Sequence, residues 1–287
     1  MSTEGRLERS DEPTLFWRSW RPQAVRGTLQ IVHGLGEHGG RYAELARRFV
    51  ADGWRVVAGD LRGFGRSDGP RGHVDHFDAY SRDVAALAAR WNDAGARPRV
   101  LYGHSMGGVV ALRAVLDAVP ADRPDALVLS APGLRAHPRA ALPLPLHWLA
   151  LALARIAPRL PLPTLLDASA ISRDPRVVAE YRADPLVVRR ATPAWYKAFL
   201  DAQRDARQRA EALAVPTLLL VPTADRLVDP ETSRRVAAAV TSSGAGPLTL
   251  RELDGWYHEP HHEPERAELL DEIARWLDDV LRPAADG

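Results

Sequence analysis

Ser105 lies in the run Gly103-His104-Ser105-Met106-Gly107, directly after the apolar stretch 99–103. A hydroxyl that is to attack a carbon centre must project from the backbone, and a strand turning at once into a helix achieves this. Glycines two before and two after let the arms of such a turn close without clash. A serine hydroxyl is a weak nucleophile at neutral pH, so the chemistry needs a histidine base and a carboxylate to orient that base. Asp225 ends the apolar run 215–225, and His258 follows the run 248–253 by a few residues. Both fall where loops leave the C-terminal ends of strands, in the order Ser105, Asp225, His258.

Acyl transfer through a serine also requires donors aimed at the developing oxyanion. The backbone N–H of Met106, next to the serine, is one. The loop 33–38, HGLGEH, supplies the other through Leu35. Other residues compete for these roles. Asp229 precedes Pro230 and a helical run, which suits a helix N-cap better than a catalytic acid. Asp60 reads as a structural carboxylate of the loop LRGFGRSDG. His261 and His262, at the start of a surface helix, raise the thought of a metal, but no second acid–histidine cluster with ligand spacing accompanies them, and no metal site is expected.

Strand-like and helix-like segments alternate around these residues. Strands are predicted at 27–34, 54–60, 99–103, 126–132, 215–225 and 248–253. Helices are predicted at 41–53, 77–95 with Gly95 as its stop, 106–118, 230–240 and 264–281. Repeated strand–helix units make a mostly parallel sheet covered on both faces. From about 133 to 210, prolines and apolar residues break that rhythm, which marks an insertion.

Of 287 residues, 46% are hydrophobic and 26% charged, ordinary for a soluble globular chain, and the net charge of +1 favours neither nucleic acid nor an acidic membrane surface. Cysteine is absent, which removes disulfides and thiolate chemistry. The polar N-terminus lacks the apolar core of a secretory signal, and the apolar stretch 141–166 is broken by Pro143, Pro145, Arg155, Pro158 and Arg159. A cytoplasmic location is expected. Oligomeric state is left open.

Five segments, HGLGEHGGRY, DLRGFGRSDGPRGHV, GHSMGG, PTADRLVDP and YHEPHHE, together with SRDPRVVAEYRADPLV of the insertion, resemble the monoacylglycerol lipase family of serine hydrolases, which overlaps with lysophospholipases. The likeness runs from about residue 14 to 282. It implies the α/β-hydrolase fold, with a core of 1–132 and 211–287 and an inserted helical cap of 133–210. It implies cofactor-free cleavage of monoacylglycerol to fatty acid and glycerol through an acyl-enzyme on Ser105, with His258 as base and Asp225 as its orienter. Lysophospholipase or short-chain carboxylesterase activity is the alternative, and a non-catalytic lipid-binding protein the third. The family's glycerol-side contacts fall on Glu37, Arg41, His104 and Tyr181, four residues that could equally form a buried polar network. The sequence departs from the family where PTAD replaces a glycine-led acid motif and where Pro260 interrupts a helix start. The leucines and Trp148 of the insertion suit the lining of an acyl tunnel first, and transient contact with a membrane surface second.

Overall fold

The computed structural model describes residues 2–91 and 98–282. Eight strands form one sheet: β1 (Ser2–Arg9), β2 (Glu12–Trp20), β3 (Gly27–Val32), β4 (Trp54–Gly59), β5 (Arg99–His104), β6 (Ala126–Ser130), β9 (Thr217–Pro222) and β10 (Leu248–Leu253), in the order β1-β2-β4-β3-β5-β6-β9-β10. A small antiparallel pair, β7 (Leu162–Pro163) with β8 (Arg190–Ala191), lies apart. From β4 to β10 every pairing is parallel; β1 and β2 are antiparallel, and β2 joins β4 antiparallel.

Strands β3, β4, β6 and β9 are buried along their whole length, because helices cover both faces. Alternate residues of a strand point to opposite faces. Leu218 and Leu220 of β9 therefore pack with Leu45 and Phe49 of α1 (Ala43–Ala51) and Ile273 and Leu277 of α8 (Arg266–Val280). On the other face Leu219 and Val221 join Tyr80 of α2 (Asp78–Trp91), Val109 and Val110 of α3 (Met106–Asp117) and Val240 of α7 (Pro230–Ser243). Each such side chain contributes roughly 1.5–3 kcal/mol by leaving water. This two-faced core fixes the C-terminal ends of the strands, where the chemistry is sited.

Every predicted strand and helix is present with ends moved by a few residues. The predicted stop at Gly95 lies outside the described residues. The hairpin β1–β2 is new, and its outer strand is largely exposed, so it carries none of the apolar signal that marks a buried strand. Between β6 and β9 the chain leaves the sheet and forms α4 (Leu144–Ile156), α5 (Pro175–Ala183) and α6 (Pro193–Arg209). α6 rests on the core: Gln203 donates to the Gly133 carbonyl at 2.6 Å, and Asp205 accepts from Arg113 of α3 at 2.9 Å.

Helix α4 differs from what a tunnel lining requires. Leu144, Trp148, Leu149 and Ile156 point outward, and Trp148 is 66% exposed. Among the described residues no helix is long and apolar enough to cross a membrane.

Candidate active site

Strand β5 ends at His104 and α3 begins at Met106, so Ser105 alone makes the turn. Its backbone sits at φ 52°, ψ −120°, a region L residues rarely adopt and one that costs on the order of 1–3 kcal/mol. Surrounding hydrogen bonds hold it there. The Ser105 N–H donates to the Ser130 carbonyl at 3.0 Å, and its own carbonyl accepts from Gly108 at 2.9 Å and Gly133 at 2.8 Å. The flanking glycines are required by contact: a β-carbon on Gly103 would lie 2.6 Å from the carbonyl oxygen of Gly107.

The Ser105 hydroxyl donates to Nε2 of His258 at 2.8 Å, and Nδ1–H of His258 donates to Oδ2 of Asp225 at 2.7 Å. The carboxylate accepts only, so this chain of bonds fixes the tautomer that leaves Nε2 free to take the serine proton. The second oxygen of Asp225 is anchored by the backbone N–H groups of Leu227 and Val228, at 2.7 and 3.0 Å. Burial disfavours the imidazolium of His258. Asp225, helped by Glu259 and Glu37, more than offsets this, and the His258 pKa lies above its ordinary value. Asp229 caps α7 instead, accepting from Glu231 N–H and the Thr232 hydroxyl. Asp60 is fully buried and bonds Gly39, Arg18 and Arg66, bracing two loops.

The loop 33–38 runs against the serine. His33 fixes its start: Nε2 accepts from Leu61 N–H at 2.9 Å, so Nδ1 carries the proton and donates to the Gly34 carbonyl at 2.8 Å. A β-carbon on Gly34 would stand 3.1 Å from that of Ser105. Gly36 takes φ 77°, and its carbonyl accepts from Val188 N–H at 2.8 Å. Leu35 is held between these two glycines on the loop that runs against Ser105. Gly133 keeps the space before the Met106 N–H clear, since a β-carbon there would come within 3.3 Å of that nitrogen. Such an arrangement can activate a serine and receive an oxyanion.

A family profile described as "Serine aminopeptidase, S33" matches residues 23–265. The chain belongs to that family. Within the S33 family its likeness runs to lipases: it is 38% identical to "Monoacylglycerol lipase" of Mycolicibacterium smegmatis, over 90% of each chain. "Phospholipase YtpA" of Bacillus subtilis is 33% identical, over 92% of this chain and 99% of that one. The crystal structure of the Paleococcus ferrophilus monoacylglycerol lipase superposes with a TM-score of 0.83 at 33% identity, covering 93% of this chain and 99% of that one. The α/β-hydrolase fold is thereby shown.

In this S33 member Glu37, Arg41, His104 and Tyr181 do come together, and they do so as a buried network. Tyr42 donates to Oε2 of Glu37 at 2.9 Å, Arg41 donates to Oε2 of Glu259 at 2.7 Å, and the Arg41 guanidinium lies over the Tyr181 ring at 4.8 Å. His104 donates through Nδ1 to the Ser130 carbonyl at 3.1 Å. Its Nε2 lies 3.6 Å from Oε1 of Glu37, too far for a hydrogen bond. Burial, and next the charge of Glu259, push Glu37 up to about 7 against the pull of Arg41 and Tyr42. Burial acts to raise Glu259 as well, but Arg41 and His262 hold it well below the carboxylate range.

His261 corrects one expectation. It is not on a surface helix; it is buried in the turn Pro260–His262 and stacks on Tyr42, with ring centroids 4.6 Å apart. Donor atoms of Glu37, His104 and Glu259, and of Glu259, His261 and His262, lie within 4.8 Å of one another. Protein atoms already use much of this capacity: His262 bonds Glu259 at 2.6 Å and the Arg41 carbonyl at 2.9 Å. Glu259, Gly133 and Ser130 were missed by sequence reasoning. Nothing in a lone glutamate after a histidine, or in a glycine after a strand, announces a role that depends on residues distant along the chain.

Proposed function

We propose that this carboxylic ester hydrolase cleaves monoacylglycerol to fatty acid and glycerol through an acyl-enzyme on Ser105. The observation that carries the reading is the unbroken hydrogen-bond chain Ser105–His258–Asp225 at the strand–helix turn, in a chain similar to monoacylglycerol lipases over most of its length. The Ser105 oxygen attacks the ester carbonyl as its proton passes to His258 Nε2. The oxyanion receives the N–H groups of Leu35 and Met106, each worth about 3–4 kcal/mol by analogy with other such donors. Collapse breaks the ester C–O bond, and the glycerol oxygen leaves with the proton from His258. Water repeats the sequence on the acyl-enzyme, releasing fatty acid and restoring Ser105.

Segment 133–210 acts as a cap that covers the serine. The outward leucines and Trp148 of α4 form an apolar patch suited to a membrane surface, so substrate is drawn from lipid by a protein attached at its periphery. Glu37, Arg41, His104 and Tyr181 stabilise the alcohol side of the site. The likeness to a bacterial phospholipase supports a second reading, lysophospholipid as substrate.

The test is fatty-acid release from 1-monoacylglycerols of rising chain length, beside lysophosphatidylcholine and a short p-nitrophenyl ester, with Ser105→Ala as the blank. Preference for monoacylglycerols, lost in the variant, is the expected result. Turnover of the short ester alone would remove the lipid substrate from the reading.

A further inference from the structure

The residue after the catalytic histidine is a fully buried glutamate that no step above employs. Glu259 lies on the loop of His258, and three contacts tie it to other parts of the site. Its backbone N–H donates to the Ile171 carbonyl at 2.7 Å. Its Oε2 accepts from Arg41, three residues beyond the loop 33–38 that runs along Ser105, at 2.7 Å. The same oxygen meets Nδ1 of His262 at 2.6 Å, and His262 donates through Nε2 to the carbonyl of Arg41 at 2.9 Å. Thus the loop bearing the base and the loop bearing an oxyanion donor are joined through one carboxylate.

Its charge also has a direction. His104 fills the space between: its ring lies 4.9 Å from that of His258, and one of its ring nitrogens is within 4.8 Å of a Glu259 oxygen. His104 is fully buried and burial, then His258, hold it neutral. The groups facing His258 are therefore Ser105, Asp225 on the far side, neutral His104, and behind His104 the carboxylates of Glu259 and Glu37. The guanidinium of Arg41 and the ring of His262 lie beyond Glu259.

We propose that Glu259 is a positioning residue for the acyl-transfer reaction, a second and remote carboxylate that locks the His258 loop to the oxyanion loop and favours the positive imidazolium formed during attack. In a water-poor interior a charge one ring away from the imidazole still acts on it, because little solvent screens the intervening space. The inference rests on Ser105 and His258 acting as nucleophile and base.

The experiment is the pH dependence of kcat/KM for p-nitrophenyl butyrate in the wild type, Glu259→Gln and Glu259→Asp, with kcat and KM separated. Loss of the charge in the Gln variant should move the acidic limb down by about half a pH unit and lower kcat about tenfold with KM within about twofold. The Asp variant, which keeps the charge, should hold the limb near its wild-type position. If circular dichroism shows the Gln variant unfolded, Arg41→Gln answers instead with the opposite sign: removing the guanidinium that faces Glu259 should move the limb up. An unmoved limb in folded Glu259→Gln, whatever happens to kcat, would overturn the proposal and leave Glu259 a structural tie. A wild type without ester turnover would instead remove the acyl-transfer reading beneath it.

Discussion

Gly107 and Val32 meet backbone to backbone: a β-carbon on Gly107 would stand 2.2 Å from the carbonyl oxygen of Val32 and 2.4 Å from that of His33. Val32 is the last residue of β3, which leads into the loop of Leu35, and Gly107 is the second residue of α3. The two proposed oxyanion donors therefore hang on chains that touch where no side chain fits. Gly107→Ala must push α3 away from β3, and a displacement near 1 Å costs about 10²-fold in rate. Esterase assays on the folded fraction, beside thermal melts, check this; wild-type rates at unchanged melting temperature would contradict it.

The strained backbone of Ser105 separates two substitutions. Ser105→Ala and Ser105→Gly should each lower turnover by about 10⁴-fold or more and abolish fluorophosphonate labelling. Glycine alone relieves the positive φ, so Ser105→Gly should exceed Ser105→Ala in stability by about 1 kcal/mol. Urea midpoints of the two variants give the comparison, and equal midpoints would mean the turn is not strained.

Asp225 and Asp229 are four residues apart and should behave in opposite ways. Asp225→Asn should leave the fold intact and lower kcat about 10⁴-fold at neutral pH, because the histidine loses its orienting acceptor. Asp229→Ala removes the cap of α7, which should cost about 1 kcal/mol of stability and leave kcat unchanged. An exchange of these two phenotypes would reassign the acid.

Acid should loosen the loop of Leu35 through His33. Burial holds the His33 pKa down to about 4, below its ordinary value of about 6.5. The folded state thus binds fewer protons than the unfolded one between these values. The stabilisation is whole above pH 6.5 and is lost as pH falls toward 4, up to about 3 kcal/mol. Glu37, held up near 7, works in the opposite sense between about 4.5 and 7, so the comparison must be made against His33→Gln. The stability gap between wild type and variant should close as pH drops from 7.5 to 4, read from urea midpoints. A constant gap would refute the assignment.

The outward face of α4 predicts a split between substrates. Serines at Leu144, Trp148 and Leu149 remove apolar area that is already exposed, so melting temperature and p-nitrophenyl ester turnover should hold. Binding to phosphatidylcholine vesicles, followed by sedimentation, should weaken about tenfold or more, since each such side chain contributes on the order of 1 kcal/mol when buried. Undiminished vesicle binding would place membrane contact elsewhere.

What the sequence disclosed follows from what each element had to bury. The central strands lie between two helical layers, so they had to be continuous apolar runs, and Ser105 and Asp225 were legible because they follow such runs. His258 follows the largely exposed edge strand β10 and was legible from chain order. Strand β1 lies at the sheet's edge and faces water, so its residues carry no period to read. Helix α4 reads as apolar in the sequence, but hydrophobicity alone does not say which way a helix faces. Glu259 and Arg41 meet across more than 200 residues, and a pairing of that kind leaves no local mark in either segment. His261 looked like a surface residue because it neighbours charges, whereas Tyr42 and His104 enclose it.

The stretch from Asp184 to Thr192 is stitched to the loops around the serine. His38 donates to Asp184 at 2.8 Å, Val188 N–H reaches the Gly36 carbonyl at 2.8 Å, and Thr192 binds the Gly72 carbonyl at 3.0 Å and His73 at 2.8 Å. Helix α4 has another anchorage: His147 meets the Tyr196 hydroxyl of α6 at 2.9 Å, and the Pro158 carbonyl beyond its end accepts from Ala194. The segment between β6 and β9 is thus anchored in two places: the stretch 184–192 is bonded to the loops of Gly36 and Gly72, and α4 rests on α6. A change confined to the contact of α4 with α6 would therefore leave the hydrogen bonds that frame the loop of Gly36 beside Ser105 in place.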